Sequence, residues 1–433
     1  MEGGGKRQVL AVELERQNTI YFADPEIVQK ALENKEPYLV GKILKFSFQG
    51  SSNKILIDAG VKFARAFHAN FIGNNNNLIL GPDCRMRGGL LNFQGASNTI
   101  NLGRDCIFNA NANVIFNGDG NTVETSNEIS FLSGLRIIFN NNYNFIEFGS
   151  QSNIADTLFI FRGSINNIKF GTSCVTMPGV KIIFDGEGNI VNIKNECKVQ
   201  SNSRIVFSKN NNYLYIGDEA RFSSSAFHFH GDSSVAYICR NASVNNTLGI
   251  RTQNIFFYGP GSTSNGFKAR LLENKNILIG SDCMFSWRIN LTNSNDHAIY
   301  DGNTKQRILK GDSIIIGDHV WIGEDAVIYK GAKVKSGSII GRGSLVSGKE
   351  VPSGCIYAGI PAKVIKENIL WTRKGSTADL TIESIKTYNT YQEPDNKPDP
   401  IGWDNLLKIN LINPALSATE KVKLIQQIIN DGE

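Results

Sequence analysis

Gly311–Lys366 reads GDSIIIGDHVWIGEDAVIYKGAKVKSGSIIGRGSLVSGKEVPSGCIYAGIPAKVIK. Every sixth residue from Ile316 is aliphatic: Ile316, Ile322, Ile328, Val334, Ile340, Val346. A small or slim residue stands four places after each of the first five: Val320, Ala326, Ala332, Ser338, Ser344. A period of six suits neither a helix nor one long strand. It predicts a triangular solenoid, in which each unit is one short strand plus one corner and three units close a coil. The aliphatic residue points inward, and the small one lets the chain turn without filling the lumen. Gly317, Gly323, Gly337, Gly341 and Gly343 fall at corners, where the backbone needs permissive dihedrals.

Upstream, a longer repeat runs from about Lys42. Val61, Cys84, Cys106, Ile129, Ser152, Cys174, Cys197, Ala220, Ala242, Ser262 and Cys283 align, at spacings of 20 to 23 residues. Each period holds three short alternating segments, as in Asn189–Ile193, Cys197–Gln200 and Arg204–Phe207. Three strands per period again predict a triangular β-helix, with one corner longer than in the hexapeptide coils. The Asn runs 74–77, 140–142 and 210–212 recur at one corner. Asn tolerates left-handed dihedrals and hydrogen-bonds its own turn. The seven cysteines form no CxxC pair, and five share one repeat position. They read as small buried residues in a ladder, not as disulfides or a metal site.

The rhythm breaks after Cys283. Cys283 and Val320 occupy equivalent positions but stand 37 apart (320 − 283). The surplus predicts a loop over 287–310 that leaves the solenoid just before the hexapeptide coils at 314–366. Insertions in solenoids collect on one face and often carry function. Residues 1–41 precede the repeat. Asp24-Pro25-Glu26 predicts a helix start there, and the helix would cover the open end of the coil. Residues 367–433 form a C-terminal extension. Its Ser417-Ala418-Thr419-Glu420 is a capping box opening a helix over 417–430. The apolar face of that helix could cap the coil end, pack on a neighbouring subunit or meet another protein.

The chain has 433 residues, 41% hydrophobic and 20% charged, as expected of a folded soluble protein. No apolar run approaches membrane-spanning length and the first 20 residues lack a secretory apolar region, so a cytoplasmic location without a transmembrane segment is expected. The net charge of +5 permits an anionic substrate without requiring one. No basic run with interleaved aromatics points to nucleic acid.

Within the inserted loop, Asn295-Asp296-His297 and Asp301 form a candidate acid–base group. A histidine titrates near neutrality, which suits it to take a proton from a hydroxyl. Either Asp296 or Asp301 could orient it. Trp321 lies 24 residues on (321 − 297), on an exposed solenoid face where an indole needs a cover. Three convergent coil histidines, as a zinc-dependent γ-type carbonic anhydrase would need, are not found. His319 reads as a surface residue at a variable repeat position.

Three segments carry a resemblance: Asp318-His319-Val320-Trp321-Ile322-Gly323, Gly359-Ile360-Pro361-Ala362-Lys363-Val364-Ile365, and Ser294-Asn295-Asp296-His297. Together they resemble the hexapeptide-repeat acyltransferases, in the branch that O-acetylates sugars and capsular polysaccharides. The resemblance implies an all-β solenoid, a left-handed parallel β-helix, although right-handed crossovers are the general rule. It implies acetyl-CoA as co-substrate, no metal, and a homotrimer with sites between subunits. His297 would be the base and Trp321 would line the acetyl-CoA and acceptor cleft. Glu324 and Arg342 would contact the pantetheine arm, Ser347 and Lys349 would sit at a bend, and Lys363 and Lys366 would meet the adenosine phosphates. The implied partners are a polysaccharide or oligosaccharide acceptor and, peripherally, capsule assembly machinery. Two alternatives stay open: an N-acyltransferase on an amino sugar nucleotide, and a non-catalytic glycan-binding solenoid.

Overall fold

A computed structural model describes residues 10–23, 44–373 and 400–430, apart from short stretches at 65–66, 88–89, 109–111, 132–133, 156, 177–178, 201–203 and 224–225. The chain is an all-β parallel solenoid of the left-handed β-helix class, with few helices. It divides into two compact units, residues 1–206 and 207–433.

In the first unit, strands from successive coils stack in parallel register on each face. Thr99 aligns with Asn77 on one side and Thr122 on the other. A row of asparagines at one corner is buried. Asn76, Asn98, Asn121, Asn144, Asn166 and Asn189 are each fully covered. Each donates its backbone N–H to the side-chain oxygen of the Asn one coil earlier, as from Asn121 to Asn98 at 2.8 Å and from Asn144 to Asn121 at 2.9 Å. The asparagine thus serves the neighbouring coil as well as its own turn, and it satisfies backbone donors that a buried corner would otherwise orphan. In the core, Phe93, Phe116, Phe139, Phe161 and Phe184 form a column with centroids 4.7 to 5.0 Å apart. That matches the inter-strand spacing of a sheet. Cys84 and Cys174 are buried, and their thiols donate to the next coil's carbonyls at Gly103 (3.0 Å) and Lys194 (3.1 Å).

The solenoid begins earlier than the expected boundary at Lys42. Thr19–Phe22 already runs parallel to Lys54–Ile57, with Ile20 and Phe22 buried. The unequal gap hid it, because Asn18 and Asn53 are ladder neighbours 35 residues apart. Leu10–Glu13 turns back antiparallel on Thr19–Phe22 and covers a strand edge that would otherwise be open. The helix expected from Asp24 lies outside the described residues.

In the second unit, the first face comprises Tyr213–Ile216, Val235–Ile238, Ile255–Tyr258, Ile277–Ile279, Ile314–Ile316, Lys333–Val334 and Glu350–Val351. The second comprises Arg221–Ser223, Ser243–Val244, Thr263–Ser264, Met284–Phe285, Trp321–Ile322, Ile339–Ile340 and Ile356–Gly359. The third includes Asn246–Ile250, Phe267–Leu271, Ile289–Thr292, Val327–Tyr329 and Leu345–Val346. Ala362–Lys366 folds back antiparallel on Ile356–Gly359 and covers the final edge.

The first five strands of this first face, Tyr213–Ile216 to Ile314–Ile316, bury residues on both sides, as sheets covered on both faces do. Their cover is the C-terminal extension. Helices α1 (Trp403–Asn410) and α2 (Ala418–Asn430) lay Leu406, Ile409, Val422 and Ile425 on Tyr215, Tyr237, Phe257, Leu278 and Ile315. Burying each Leu or Ile is worth about 1.5–3 kcal/mol. At the start of α2 the Ser417 hydroxyl donates to Glu420 at 2.6 Å, and the Glu420 N–H donates back at 3.3 Å. The helix covers the flank of the chain's own first face, which is none of the three covers expected for it.

Candidate active site

The excursion is shorter than the expected 287–310. Ile289–Thr292 stays in the third face, with Ile289 and Leu291 buried. The chain leaves the prism only over 293–313, between the third and first faces. Its tip is a hairpin that pairs Ile299–Tyr300 with Arg307–Ile308. Glu273 fastens the neck. It accepts from the Ser294 hydroxyl at 2.5 Å and the Gly311 N–H at 3.1 Å, and Arg307 lies 2.7 Å away. Burial pushes the Glu273 carboxyl up, but these donors outweigh it and hold it below the usual range.

His297 sits at the base of the hairpin, exposed. Its N–H donates to Asn295 at 2.8 Å, and among the described residues its ring has no hydrogen-bond partner. Neither nearby acid holds it. Asp296 is ion-paired with Arg270. Asp301 accepts from the N–H groups of Asn303 (2.9 Å) and Thr304 (2.7 Å) and from the Thr304 hydroxyl (3.0 Å). Those bonds, led by the Thr304 N–H, hold its carboxyl below the usual range. Asp301 therefore shapes the hairpin turn, and the expectation that one of the two acids orients the imidazole is corrected for the chain by itself.

Trp321 stands half-buried on the second face, while the hairpin leaves from the opposite corner. Its indole N–H points to the Ser286 hydroxyl at 3.4 Å, long for a hydrogen bond. Below it the register runs Trp321, Ile339, Ile356, Lys366. Three strand spacings separate the indole from the lysine, about 14 Å. Lys363 and Lys366 are exposed on the terminal strand, and Ser347 and Lys349 are exposed near the last coil of the first face. Glu324 and Arg342 are brought together, with Arg342 Nε 3.3 Å from Glu324 Oε2. They belong to a charge ladder in which Arg288 reaches Asp325 through two bonds of 2.7 and 2.8 Å and Glu324 at 2.6 Å. The Arg288 bonds hold the Asp325 carboxyl below the usual range. One strand file therefore joins Trp321 to the exit lysines, with the carboxylate–arginine ladder at the adjoining corner. His297 is not part of that file.

His319 is not a surface residue. It is buried, with Nδ1 2.6 Å from Asp282 Oδ2 and Nε2 3.1 Å from the Trp371 carbonyl. Its ring stacks on Trp371 at 3.9 Å and 10°. Arg373 donates through Nε to Asp282 and through Nη2 to the Cys283 carbonyl at 2.6 Å. The missed signal is positional. Asp282 and His319 hold equivalent corner places one coil apart, and both carry groups too polar to bury without partners.

Six-residue units, three to a coil, with the chain folding back at the end, mark the class these C-terminal coils are similar to, the hexapeptide-repeat transferases. Residues 313–348 match the family described as bacterial transferase hexapeptide (six repeats). Over 98 residues the chain is 47% identical to the polysialic acid O-acetyltransferase of Escherichia coli O1:K1 / APEC, a match covering 23% of this chain and 32% of that protein. The match thus spans about a third of that relative's length. Among solved structures, the polySia specific acetyltransferase NeuO aligns at 25% identity over 69% of this chain and 95% of its own, with a TM-score of 0.25. The polysialic acid O-acetyltransferase OatWY aligns at 18% identity over 80% and 99%, with a TM-score of 0.23.

Proposed function

We propose that this chain is an acetyl-CoA-dependent O-acetyltransferase acting on a hydroxyl of a bacterial capsular or other surface polysaccharide. The observation that carries this reading is the file from Trp321 down to Lys366. It offers an indole at one end, an aliphatic strip at Ile339 and Ile356, and exposed ammonium groups at the other. A thioester carrier has the same order: an acyl group, an uncharged arm and phosphates. Lysine ammonium groups neutralise phosphate charge. His297 takes the proton of a sugar hydroxyl, and the resulting oxygen attacks the thioester carbonyl. The tetrahedral oxyanion is held by backbone amides or by the Trp321 N–H, which the long contact to Ser286 leaves free to re-aim. Collapse breaks the C–S bond, and the thiolate takes up the proton His297 had removed.

Because the hairpin and Trp321 lie on different faces of one chain, the reading calls for two chains, with His297 of one reaching Trp321 of another in a homotrimer. The exposed apolar hairpin residues Ile299, Tyr300, Ile308 and Leu309 favour such a cover, since an isolated two-stranded hairpin is marginal in water.

A polymer acceptor is favoured over a lone sugar by a groove of about 560 Å³ beside the site. Exposed Trp287 and Asn245, Asn265, Asn290 and Lys268 line it across neighbouring coils. Ser286, which faces the Trp321 indole, is the residue before Trp287. An indole face with amide donors and acceptors suits a hydroxylated ring. The deciding experiment is mass spectrometry of capsular oligosaccharides of graded length after incubation with acetyl-CoA. A gain of acetyl on chains, and none with buffer alone, is expected; transfer only to amino sugar nucleotides would overturn the reading.

A further inference from the structure

One corner of the second unit, on two adjacent coils, holds two stretches of the C-terminal extension. In one, Trp371 and Arg373 are gripped by His319 and Asp282 as described. In the other, Asp318 accepts from the Gly402 N–H at 2.9 Å and the Ile401 N–H at 3.2 Å, and the Ile401 N–H also reaches the Ser281 hydroxyl at 3.1 Å. Residues 371–373 and 401–402 are thus both held by the dipeptides Ser281-Asp282 and Asp318-His319. The His319–Trp371 contact is reciprocal. The Trp371 indole N–H donates to the His319 carbonyl at 3.1 Å, while His319 Nε2 faces the Trp371 carbonyl. The Asp282 carboxylate and the Trp371 carbonyl thus face the two nitrogens of the His319 ring.

Trp371 also touches the candidate site. Its ring lies 5.9 Å from that of Trp321, tilted by 45°. Trp321 is two residues beyond His319, so one short stretch carries both the clasp and the indole. On its other side, among the described residues, the Trp321 N–H has only the long contact to Ser286. We infer that Trp371, locked by His319, Asp282 and Arg373, is a positioning residue that sets the orientation of the Trp321 indole for acyl transfer. The C-terminal extension thereby becomes part of the site's supporting structure. This rests on the proposed acyl-transfer reading. Its chemical logic is that of any transition-state contact, where a displacement of about 1 Å can cost about a hundredfold in rate.

The test uses the full chain labelled with 5-fluorotryptophan. Its four tryptophans give four fluorine signals, and Trp321→Phe assigns the one from 321. In Trp371→Leu the 321 signal should shift and broaden, and kcat should fall about tenfold while KM for acetyl-CoA moves less than about threefold. Trp371→Phe, which keeps a ring against Trp321, should recover most of kcat. Asp282→Asn, nearly isosteric, should reproduce the Leu effect even if the Leu variant folds poorly. An unmoved 321 signal in Asp282→Asn, or a kcat that drops only as far as the folded fraction drops, overturns the inference. The fluorine readout needs no turnover. A wild-type protein that fails to transfer acetyl therefore refutes the functional reading alone, and the signal still decides the clasp.

Discussion

Asp296, the residue just before His297, is ion-paired with Arg270 of the third face, and among the described residues no carboxylate bonds the imidazole. Asp301 is likewise committed, to the turn at Thr304. The two acids are thus loop-shaping groups, and the proposed base and its neighbours should differ sharply on substitution. His297→Ala should lower kcat by about 10²–10⁴-fold, the range of a lost general base. Asp296→Asn and Asp301→Asn should each cost about tenfold or less. Steady-state rates for the three variants check this, and an Asp296→Asn loss equal to that of His297→Ala would restore the acid to the base's side.

Glu273 provides a second handle on the same loop without touching the proposed chemistry. It joins Ser294 on the outgoing strand to Gly311 and Arg307 on the return. Glu273→Gln keeps the shape but removes the charge that Arg307 faces. The expected result is a several-fold lower kcat and faster proteolysis near residues 295–310, with little change in global melting temperature. Because the Glu273 carboxyl is held below its ordinary range, its stabilising bonds are complete above the ordinary carboxylate range and fade as pH falls through the depressed value. Loop protection, measured by hydrogen exchange, should therefore weaken on acidification in the wild type and change less in Glu273→Gln.

A site divided between chains makes a different demand. His297→Ala and Trp321→Ala should each be inactive as separate preparations. Co-expressed, they should form mixed assemblies in which some interfaces pair an intact His297 with an intact Trp321. Partial recovery of acetyl transfer is expected, on the order of a quarter of wild type or less. Light scattering should give a mass three times that of the chain. No recovery from a demonstrably mixed trimer would move the site into one chain and leave the hairpin without its proposed role.

The solenoid and its three faces were legible from Ile316 to Val346 because an inward aliphatic every sixth residue matches the period of neither a helix nor a flat strand. The cysteine and asparagine columns were legible for the same reason: a repeat position is one physical environment sampled many times. What stayed hidden has no period. The strand Thr19–Phe22 was masked by a gap longer than one coil. His319 looked like a surface residue because its partners, Trp371 and Arg373, come from beyond the last repeat. The docking place of helices α1 and α2 did leave a trace. Tyr213–Ile216, Val235–Ile238 and Ile255–Tyr258 lack the alternation of a half-exposed strand, which announces a cover without saying what supplies it. His297 stands out by the loop it occupies, but the commitments of its two neighbouring acids could not be read from spacing. Asp296 and Asp301 are near it in sequence and engaged elsewhere in space.

Lys421 tests that cover directly. It lies on α2, fully buried, with its ammonium donating to the Ser233 carbonyl at 2.6 Å. Burial pushes its pKa down to about 8 from the ordinary 10.5. The sign follows from proton binding. Below about pH 8 both folded and unfolded chains carry the proton, and the folded state bears the full cost of a buried charge. Between about 8 and 10.5 the unfolded chain binds more protons, so this group makes stability rise with pH. A shift of this size corresponds to about 3 kcal/mol at most, since one pKa unit is about 1.4 kcal/mol. Lys421→Met should therefore raise stability near neutral pH by about 1–2 kcal/mol, the lost bond to Ser233 offsetting part of the gain. The wild type should also close much of that gap as pH approaches 10. Urea melts of the two proteins at pH 7 and pH 10, compared as a difference so that other titrating groups cancel, read this out. A difference that stays constant across that range would mean the lysine is not buried as a charge and that α2 docks more loosely than its contacts with Tyr237 and Phe257 imply.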